Sequence, residues 1–463
     1  MLDNLTLLQK YHTTLETQFV DKLVINPRLN RQLVSFQANK NKPRYRWFRY
    51  KEGFSEGLIH YILDVIQPTG HILDPFAGIG TTLFVALERG LSATGIELLP
   101  VGYEVMSLHK LLQSVPKSHF LQLISRWQKT TPWKGSSPNN PFLHLKITQG
   151  AFSETTQASI DNYRSALLQE SPNDQQILQF VLMCILEDVS YTRKDGQYLR
   201  WDYRSNRTQG RFPFDKGHIL SFDEAIHQKF DETVADLDQA TIFDSPITYK
   251  DMNLIQGSCL EHLPSLPTGS FDGIITSPPY ANRYDYTRTY ALELALLNVD
   301  EVEIRRLRQA MLSCTVENRA KSDLDTHFSV DIYQQAYHAF SQQKELQLIL
   351  SYLESQKEAK LLNNAGIPRM IHNYFWEMAL VIFDSARILK PNAPFIMVND
   401  NVRYGGVMIP VDLILSSFAQ QAGFDVEVIW VLPIGKGNSS QQMGVHGRES
   451  VRKCIYIWRR KVS

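Results

Sequence analysis

At 463 residues the chain is long enough for one large elaborated domain or roughly two to three smaller ones, and 43% apolar content suits a globular protein with a substantial core. Its 48 basic residues balance 48 acidic ones, so no global field draws in a polyanion, and any nucleic-acid site must be a local patch. Cys184, Cys259, Cys314 and Cys454 lack metal-ligand spacing, no run is long enough for a membrane span, and Met1-Leu2-Asp3-Asn4 opens no secretory signal; the expectation is a cytoplasmic protein with free thiols, no metal and no membrane partner.

Residues 2–20 place Leu5, Leu8, Leu15 and Phe19 on one helical face. A basic, aromatic stretch follows, Lys42-Pro43-Arg44-Tyr45-Arg46-Trp47-Phe48-Arg49-Tyr50-Lys51. Gly53-Phe54-Ser55 then leads into a predicted helix over 56–66, with Ser55 as its N-cap. The stretch His71-Ile72-Leu73-Asp74-Pro75-Phe76-Ala77-Gly78-Ile79-Gly80-Thr81-Thr82 reads as strand, glycine turn and the start of a helix over 81–88. A second strand over 93–96 delivers Glu97 at its carboxyl end.

Strand, glycine loop, helix, strand and acid make up the nucleoside-cofactor plan of a doubly wound sheet. Glu97 falls in the range expected for a carboxylate on ribose hydroxyls. The loop lacks dinucleotide spacing and is not followed by a phosphate-binding Lys, which disfavours NAD and ATP. An Asp before the loop repels phosphate but accepts hydrogen bonds from an ammonium or a hydroxyl. S-adenosylmethionine carries ribose hydroxyls and an ammonium and no phosphate. The bland alternative is a chance glycine turn in a βαβ unit.

The βαβ rhythm lapses over 103–250. A helix over 175–190 is followed by Tyr191-Thr192-Arg193-Lys194-Asp195-Gly196-Gln197-Tyr198-Leu199-Arg200-Trp201-Asp202-Tyr203-Arg204, continuing through Arg207, Arg211 and Lys216. Basic residues with interleaved aromatics suit phosphate contacts plus stacking. Arg193, Lys194, Arg200, Arg204 and Arg207 are therefore candidates for nucleic-acid contact. The alternative is a solvated hairpin turning at Asp195-Gly196.

The sheet resumes over 252–256, before Gly257-Ser258-Cys259. An apolar strand over 271–275 ends in Thr276-Ser277-Pro278-Pro279-Tyr280. Two prolines cannot continue a central strand, so they stop the chain stiffly and present a hydroxyl and a ring. Such a turn offers a fixed acceptor and a stacking face to a planar, amino-bearing group, although it also reads as a rigid strand-to-loop turn. Arg283, Asp285 and Arg288 follow, for loop anchoring, phosphate contact or a structural salt bridge, and then a helix over 291–297. Residues 299–370 form a second, polar, largely helical insertion. The remaining predicted elements are a helix over 374–389, a strand over 395–398, a helix over 410–421, a strand over 426–432, a polar glycine loop over 435–440 and a final strand over 455–458.

About seven strands with helices between them predict a three-layer α/β sheet interrupted by two insertions. Ligands in such sheets bind outside the carboxyl ends of the strands. The Asp74 loop, Glu97, the Ser258 turn and Ser277 to Tyr280 all fall at predicted carboxyl ends. The expected order is a first part over 1–102, a candidate target-recognition insertion over 103–250, a catalytic segment over 251–298, the second insertion over 299–370, and a closing part over 371–463.

At these residues the chain resembles the amino-group DNA methyltransferases, which methylate cytosine N4 or adenine N6. Asp74 to Thr82 resembles their S-adenosylmethionine loop, Thr276 to Tyr280 their catalytic motif, and Trp47 to Ile62 the segment that helps bind the methionine end. The resemblance covers roughly two thirds of the chain and implies a Rossmann-like, seven-stranded, mostly parallel methyltransferase sheet with helices on both faces. It implies Ser277, Pro278, Pro279 and Tyr280 as catalytic residues. The implied cofactor set is Phe54, Asp74, Phe76, Gly78, Gly80, Thr81, Thr82, Glu97 and Ser258. Arg283 and Arg288 join the five basic residues above as DNA contacts. Ser in first place leans towards N4 of cytosine in double-stranded DNA; N6-adenine methylation, an RNA amino-methyltransferase and a non-catalytic S-adenosylmethionine-binding regulator are the alternatives. A restriction–modification or defence role, with a cognate restriction endonuclease acting on the same site, is the family's usual setting. Two departures stand out: Ser258 where the family usually has an acid, and a cofactor loop that precedes the catalytic motif.

Overall fold

The computed structural model describes residues 2–195, 198–207, 212–239, 251–433 and 451–462. Its central sheet has eight strands: β1 (Leu23–Ile25), β2 (His71–Asp74), β3 (Ser92–Glu97), β6 (Met252–Gln256), β7 (Gly273–Thr276), β8 (Pro394–Asp400), β11 (Phe424–Val431) and β12 (Lys453–Arg460). Two small pairs stand apart, β4 (Thr192–Asp195) with β5 (Tyr198–Trp201), and β9 (Val402–Tyr404) with β10 (Val407–Ile409). The central order is β1-β11-β12-β8-β7-β2-β3-β6. Neighbours from β8 through β6 are parallel, while β12 runs antiparallel to both β8 and β11.

This is a mixed α/β protein with a large, mostly parallel sheet. The central-sheet strand that the sequence pattern misses is β1, three partly exposed residues pairing with β11; the short β9–β10 pair also escapes it. β7 starts at Gly273 and carries four buried residues in a row, the continuous apolar signature of a parallel strand covered on both faces. Phe271, expected within it, makes only an isolated bridge to Leu389.

Topology places the site. From β2 the chain builds outward through β3 to β6, then returns to lay β7 on the other side of β2 and continues outward to β8. The β2–β7 boundary is the point where strand order reverses, and ligands of open α/β sheets bind in the crevice there. Asp74, Glu97, Gln256, Thr276 and Asp400 are the last residues of five parallel strands and share that edge.

Local chemistry explains the flanking helices. Ser55 caps Glu56–Ile66 by accepting a hydrogen bond from the Leu58 amide at 3.2 Å, and its own hydroxyl donates to the Leu33 carbonyl. The helix Thr81–Glu88 starts directly after the glycine loop. The helix Ile367–Ile388 begins earlier than the apolar pattern from Tyr374 predicts, because Pro368 in its first turn has no amide to satisfy there.

The described residues of the 103–250 segment pack on the sheet domain. Helices Lys117–Thr130, Glu154–Leu167, Pro172–Val189 and Phe222–Gln239 enclose Trp127, Trp133 and Tyr163, in a core continuous with Leu292 and Leu296. The lobe therefore rests on the helix Ala291–Leu296, a few residues beyond Tyr280. In the second insertion, Val330–Gln342 and Lys344–Glu358 pack against Ile367–Ile388 and the N-terminal helix Leu2–Gln18. The basic stretch over 42–51 is largely internal: Arg44 pairs with Glu88 at 2.7 Å, and Arg46 and the Trp47 indole both bond to buried Asp236. Gly196, Arg211 and the loop over 435–440 lie outside the described residues. Among those described, no helix is long and apolar enough to cross a membrane.

Candidate active site

A cavity of about 430 Å³ opens at the carboxyl edge of β2, β3, β6, β7 and β8. On its cofactor side, Asp74 is fully buried, and its Oδ1 accepts from the Phe76 amide at 3.1 Å and from the Thr276 hydroxyl at 2.6 Å. The second bond ties the last residue of β2 to the last residue of β7. Burial pushes the Asp74 carboxyl up to about 6, against the hydrogen bonds it accepts. Glu97 accepts from the Gly78 and Leu99 amides, both at 2.7 Å, one on each oxygen. The Leu98 amide contributes a further bond, and the carboxylate, with about four acceptor sites in all, keeps capacity for a ligand. Burial raises Glu97 to about 7.

The two loop glycines do different work. Gly78 has φ +56° and lines the cavity; a Cβ there would press on the Tyr50 ring at 3.3 Å. Gly80, expected to touch cofactor, does not line the cavity; it caps the following helix at φ +86°, where a Cβ would run into Met106. Thr81 lines the cavity, and the Thr82 hydroxyl, 3.4 Å from the Ile275 carbonyl, also bonds the Asp74 carboxyl from behind. Gly80 and Thr82 thus shape the loop around the cavity rather than forming its exposed wall. Phe54 and Phe76 line the cavity. Ser258 lines it too, but its hydroxyl donates to the Ala310 carbonyl at 2.7 Å and caps Cys259–His262 by accepting from the Leu260 amide.

One glycine that sequence reasoning missed closes this half of the site. A Cβ at Gly102 would sit 2.3 Å from the Gly78 carbonyl oxygen and 2.9 Å from Glu97 Cγ. The helix Pro100–Leu111 can reach the loop only because Gly102 has no side chain. Gly102→Ala is expected to cost roughly 1–3 kcal/mol of stability and to weaken cofactor binding at least about 10-fold. Thermal unfolding and ligand titration, beside Gly135→Ala, whose Cβ would meet open space, check this.

On the other side, Ser277 Oγ lies 3.1 Å from both the Val398 carbonyl oxygen and the Tyr280 hydroxyl. A carbonyl can only accept, so the one proton of Ser277 goes to Val398, and its oxygen keeps acceptor capacity. Pro278, Pro279 and Tyr280 also line the cavity. The turn is followed by Arg283 in the left-handed region, at φ +66°. Asp285 is buried and anchors the loop, capping Tyr286–Thr289 and pairing with Arg288 at 3.2 Å and Arg308 at 3.1 Å.

Between the halves sits a carboxyl that the sequence did not flag. Glu52 lines the cavity and accepts hydrogen bonds from the Tyr284 and Tyr290 hydroxyls, both on the segment after the Ser277–Tyr280 turn. Burial raises it to about 7. Tyr50 stacks on Tyr290 with ring centroids 5.0 Å apart. The segment over 50–54 therefore bridges the cofactor loop to the target-side loop.

The basic hairpin exists, and its residues divide by face. Thr192, Lys194, Leu199 and Trp201 are buried, while Arg193 is exposed and stands opposite Arg200 in register. Lys194 is a correction: its ammonium is buried, 2.5 Å from Glu293 and over the rings of Tyr290 and Phe48, where no phosphate can reach it. Arg200 lies over Phe214, Arg204 is bound to Asp202, Arg207 lies over Trp201, and Arg283 reaches Asn363. Arg288 is half-exposed between Asp285 and Glu317. Among the described residues no cluster of three or more His, Cys, Asp or Glu is placed to hold a metal.

A mostly parallel α/β sheet with an adjoining carboxylate-lined and serine-lined cavity at its switch point is compatible with a methyltransferase. The chain is 50% identical over 459 residues to the Type II methyltransferase M.AvaI of Nostoc sp. (strain PCC 7120 / SAG 25.82 / UTEX 2576), covering 98% of this chain and 94% of the relative, and equally to that of Anabaena variabilis. It is 37% identical over 473 residues to the Type II methyltransferase M.BsoBI of Geobacillus stearothermophilus, covering 96% of this chain and 91% of the relative. No family model and no solved structure matches. The chain belongs to the Type II methyltransferases, and is an enzyme of DNA methylation.

Proposed function

We propose that the protein transfers a methyl group from S-adenosylmethionine to the exocyclic N4 of cytosine in double-stranded DNA, as the modification enzyme of a restriction–modification system whose endonuclease acts on the same site. The observation that carries this reading is the Ser277 oxygen, held by Val398 with acceptor capacity left over, beside a stacking ring and across one cavity from Asp74 and Glu97. The Type II names of the relatives support the restriction–modification setting.

When bound, S-adenosylmethionine supplies an electrophilic methyl carbon. Its donor set fits the cavity: ribose hydroxyls and an ammonium match two carboxylates, and no cation is needed for phosphate. Asp74, Glu97, Phe54, Phe76, Gly78 and Thr81 hold it, with Ser258 on the wall and Gly80 and Thr82 shaping the loop behind. The cytosine amine is a weak nucleophile because its lone pair is delocalised into the ring. Ser277 Oγ and the Pro278 carbonyl accept its two hydrogens and turn the nitrogen towards tetrahedral geometry, while Tyr280 stacks on the base. Pro279 keeps that turn rigid. Positioning supplies most of the rate, and no strong base is required because the proton leaves after the methyl arrives. The base must leave the duplex to reach this site.

For DNA contact, Arg193 and Arg200 stand directly opposite on one strand pair, with Arg193 exposed and Arg200 3.6 Å from Asp195, and together they present two cations on one face. Arg204, Arg207, Arg283 and Arg288 extend the set. Transfer of labelled methyl to duplex DNA, followed by nucleoside chromatography, tests the reading. N4-methylcytosine is expected; N6-methyladenine, label only in RNA, or cofactor binding without transfer each selects one of the alternatives.

A further inference from the structure

Ser277 lies at the end of β7, Asp400 at the end of β8, and Lys453 at the start of β12, side by side along one edge. β12 is antiparallel to β8, so its first residue faces the last residue of β8 in register. Lys453 Nζ is 2.5 Å from Asp400 Oδ2, and both side chains line the cavity that holds Ser277. The mechanism above uses neither.

We propose that the Lys453–Asp400 pair reads the ring edge of the flipped base, with the Lys453 ammonium donating a hydrogen bond to cytosine O2. This rests on the N4-cytosine reading and adds the residue that enforces it. Three arguments converge. The first is reach. Neighbouring strands are about 4.8 Å apart, so β7 and β12 are separated by about 10 Å across β8. A cytosine with one hydrogen bond at N4 and another at O2 also spans about 10 Å. The base thus fits between Ser277 and Lys453, over β8, on the side of the switch point away from Asp74 and Glu97.

The second is donor count. An ammonium has three hydrogens, and the bond to Asp400 leaves two. Asp400 restrains the long side chain and balances its charge in a half-buried setting, where Lys453 keeps only 38% of its side-chain exposure. The third is chemistry. With its amine on Ser277, adenine presents ring N1 and then C2–H along the same edge, whereas cytosine presents N3 and then O2. A C–H cannot accept from an ammonium, so adenine would leave the ammonium hydrogens that Asp400 does not take facing a group that cannot bond them. Sites built around such a donor reject analogues lacking the acceptor strongly.

The test uses the full-length enzyme. Modification-sensitive sequencing of DNA from expressing cells first gives the target site and the product. Synthetic duplexes then carry that site with cytosine, or with adenine in its place. Lys453→Met is expected to lower kcat/KM on the cytosine duplex about 100-fold and to narrow the cytosine-over-adenine preference by a similar factor, with S-adenosylhomocysteine binding unchanged as proof of folding. Lys453→Arg, which keeps a donor, is expected to restore most of the preference. An equal fall on both duplexes, or no fall on either, overturns the inference and leaves Lys453 as a structural partner of Asp400. A wild-type product of N6-methyladenine overturns the cytosine reading itself, and the two failures are thereby told apart.

Discussion

Ser277→Ala is expected to lower the rate of methyl transfer by about 100- to 1,000-fold while leaving cofactor affinity within about twofold. The hydroxyl does not belong to the cofactor side of the cavity. Its proton is held by the Val398 carbonyl, and its oxygen faces the space that Tyr280 borders. An alanine removes the acceptor without moving the backbone, because Pro278 and Pro279 fix the turn independently of the side chain. On the proposed mechanism, what is lost is the contact that localises the amine lone pair, an interaction stronger in the transition state than in the ground state. Single-turnover transfer and S-adenosylhomocysteine titration on the same preparation check both halves. Normal transfer by the variant would remove Ser277 from the chemistry and leave the turn as a rigid stop. Tyr280→Phe keeps the stacking ring and loses only its hydroxyl beside Ser277, so a fall of no more than about 10-fold is expected.

Most of the sheet was legible because it is written in local signals. The Gly78 turn, the Ser55 cap and the apolar runs of β2, β6 and β8 are properties of neighbouring residues, and strand ends at Asp74, Glu97 and Gln256 follow from them. What escaped depends on topology. Lys453 lies at the start of its strand, where the rule about carboxyl ends looks away; it reaches the site only because β12 runs antiparallel. Gly102 sits in an unremarkable helical pattern, and its role exists only where that helix meets the Gly78 carbonyl. Glu52 is a single acid directly after the basic run, and the Tyr284 and Tyr290 hydroxyls that bind it come from far along the chain. The reading of Lys194 as a surface cation failed for a related reason. Alternation in a hairpin fixes that Arg193 and Lys194 point to opposite faces, but not which face another lobe will cover.

Asp74→Ala and Glu97→Ala are each expected to weaken cofactor binding about 100-fold, the worth of a charge-assisted contact in a buried site. The pH dependence of that binding separates ligand contact from scaffolding. Both carboxyls are raised by burial, Asp74 to about 6 and Glu97 to about 7. In the unfolded chain they titrate near 4, so between pH ~4 and ~7 the folded protein holds protons that the unfolded chain has released. Their contribution to stability is therefore present in full below pH ~4 and is lost as pH rises through 6 to 7. A ligand that donates to the ionised carboxylates offsets this loss. S-adenosylhomocysteine, which keeps the ribose hydroxyls and the ammonium, is accordingly expected to raise the melting temperature more at pH 8 than at pH 6. Its affinity is expected to fall towards low pH with a limiting slope of about 10-fold per pH unit for each carboxyl that must lose its proton. Glu97→Gln is expected to remove the component near pH 7 and keep the one near pH 6. A cofactor-induced shift that is the same at both pH values, in the wild type and in Glu97→Gln, would mean that these carboxyls hold the Gly78 and Leu99 amides and Thr276 rather than the ligand, since those bonds exist without it.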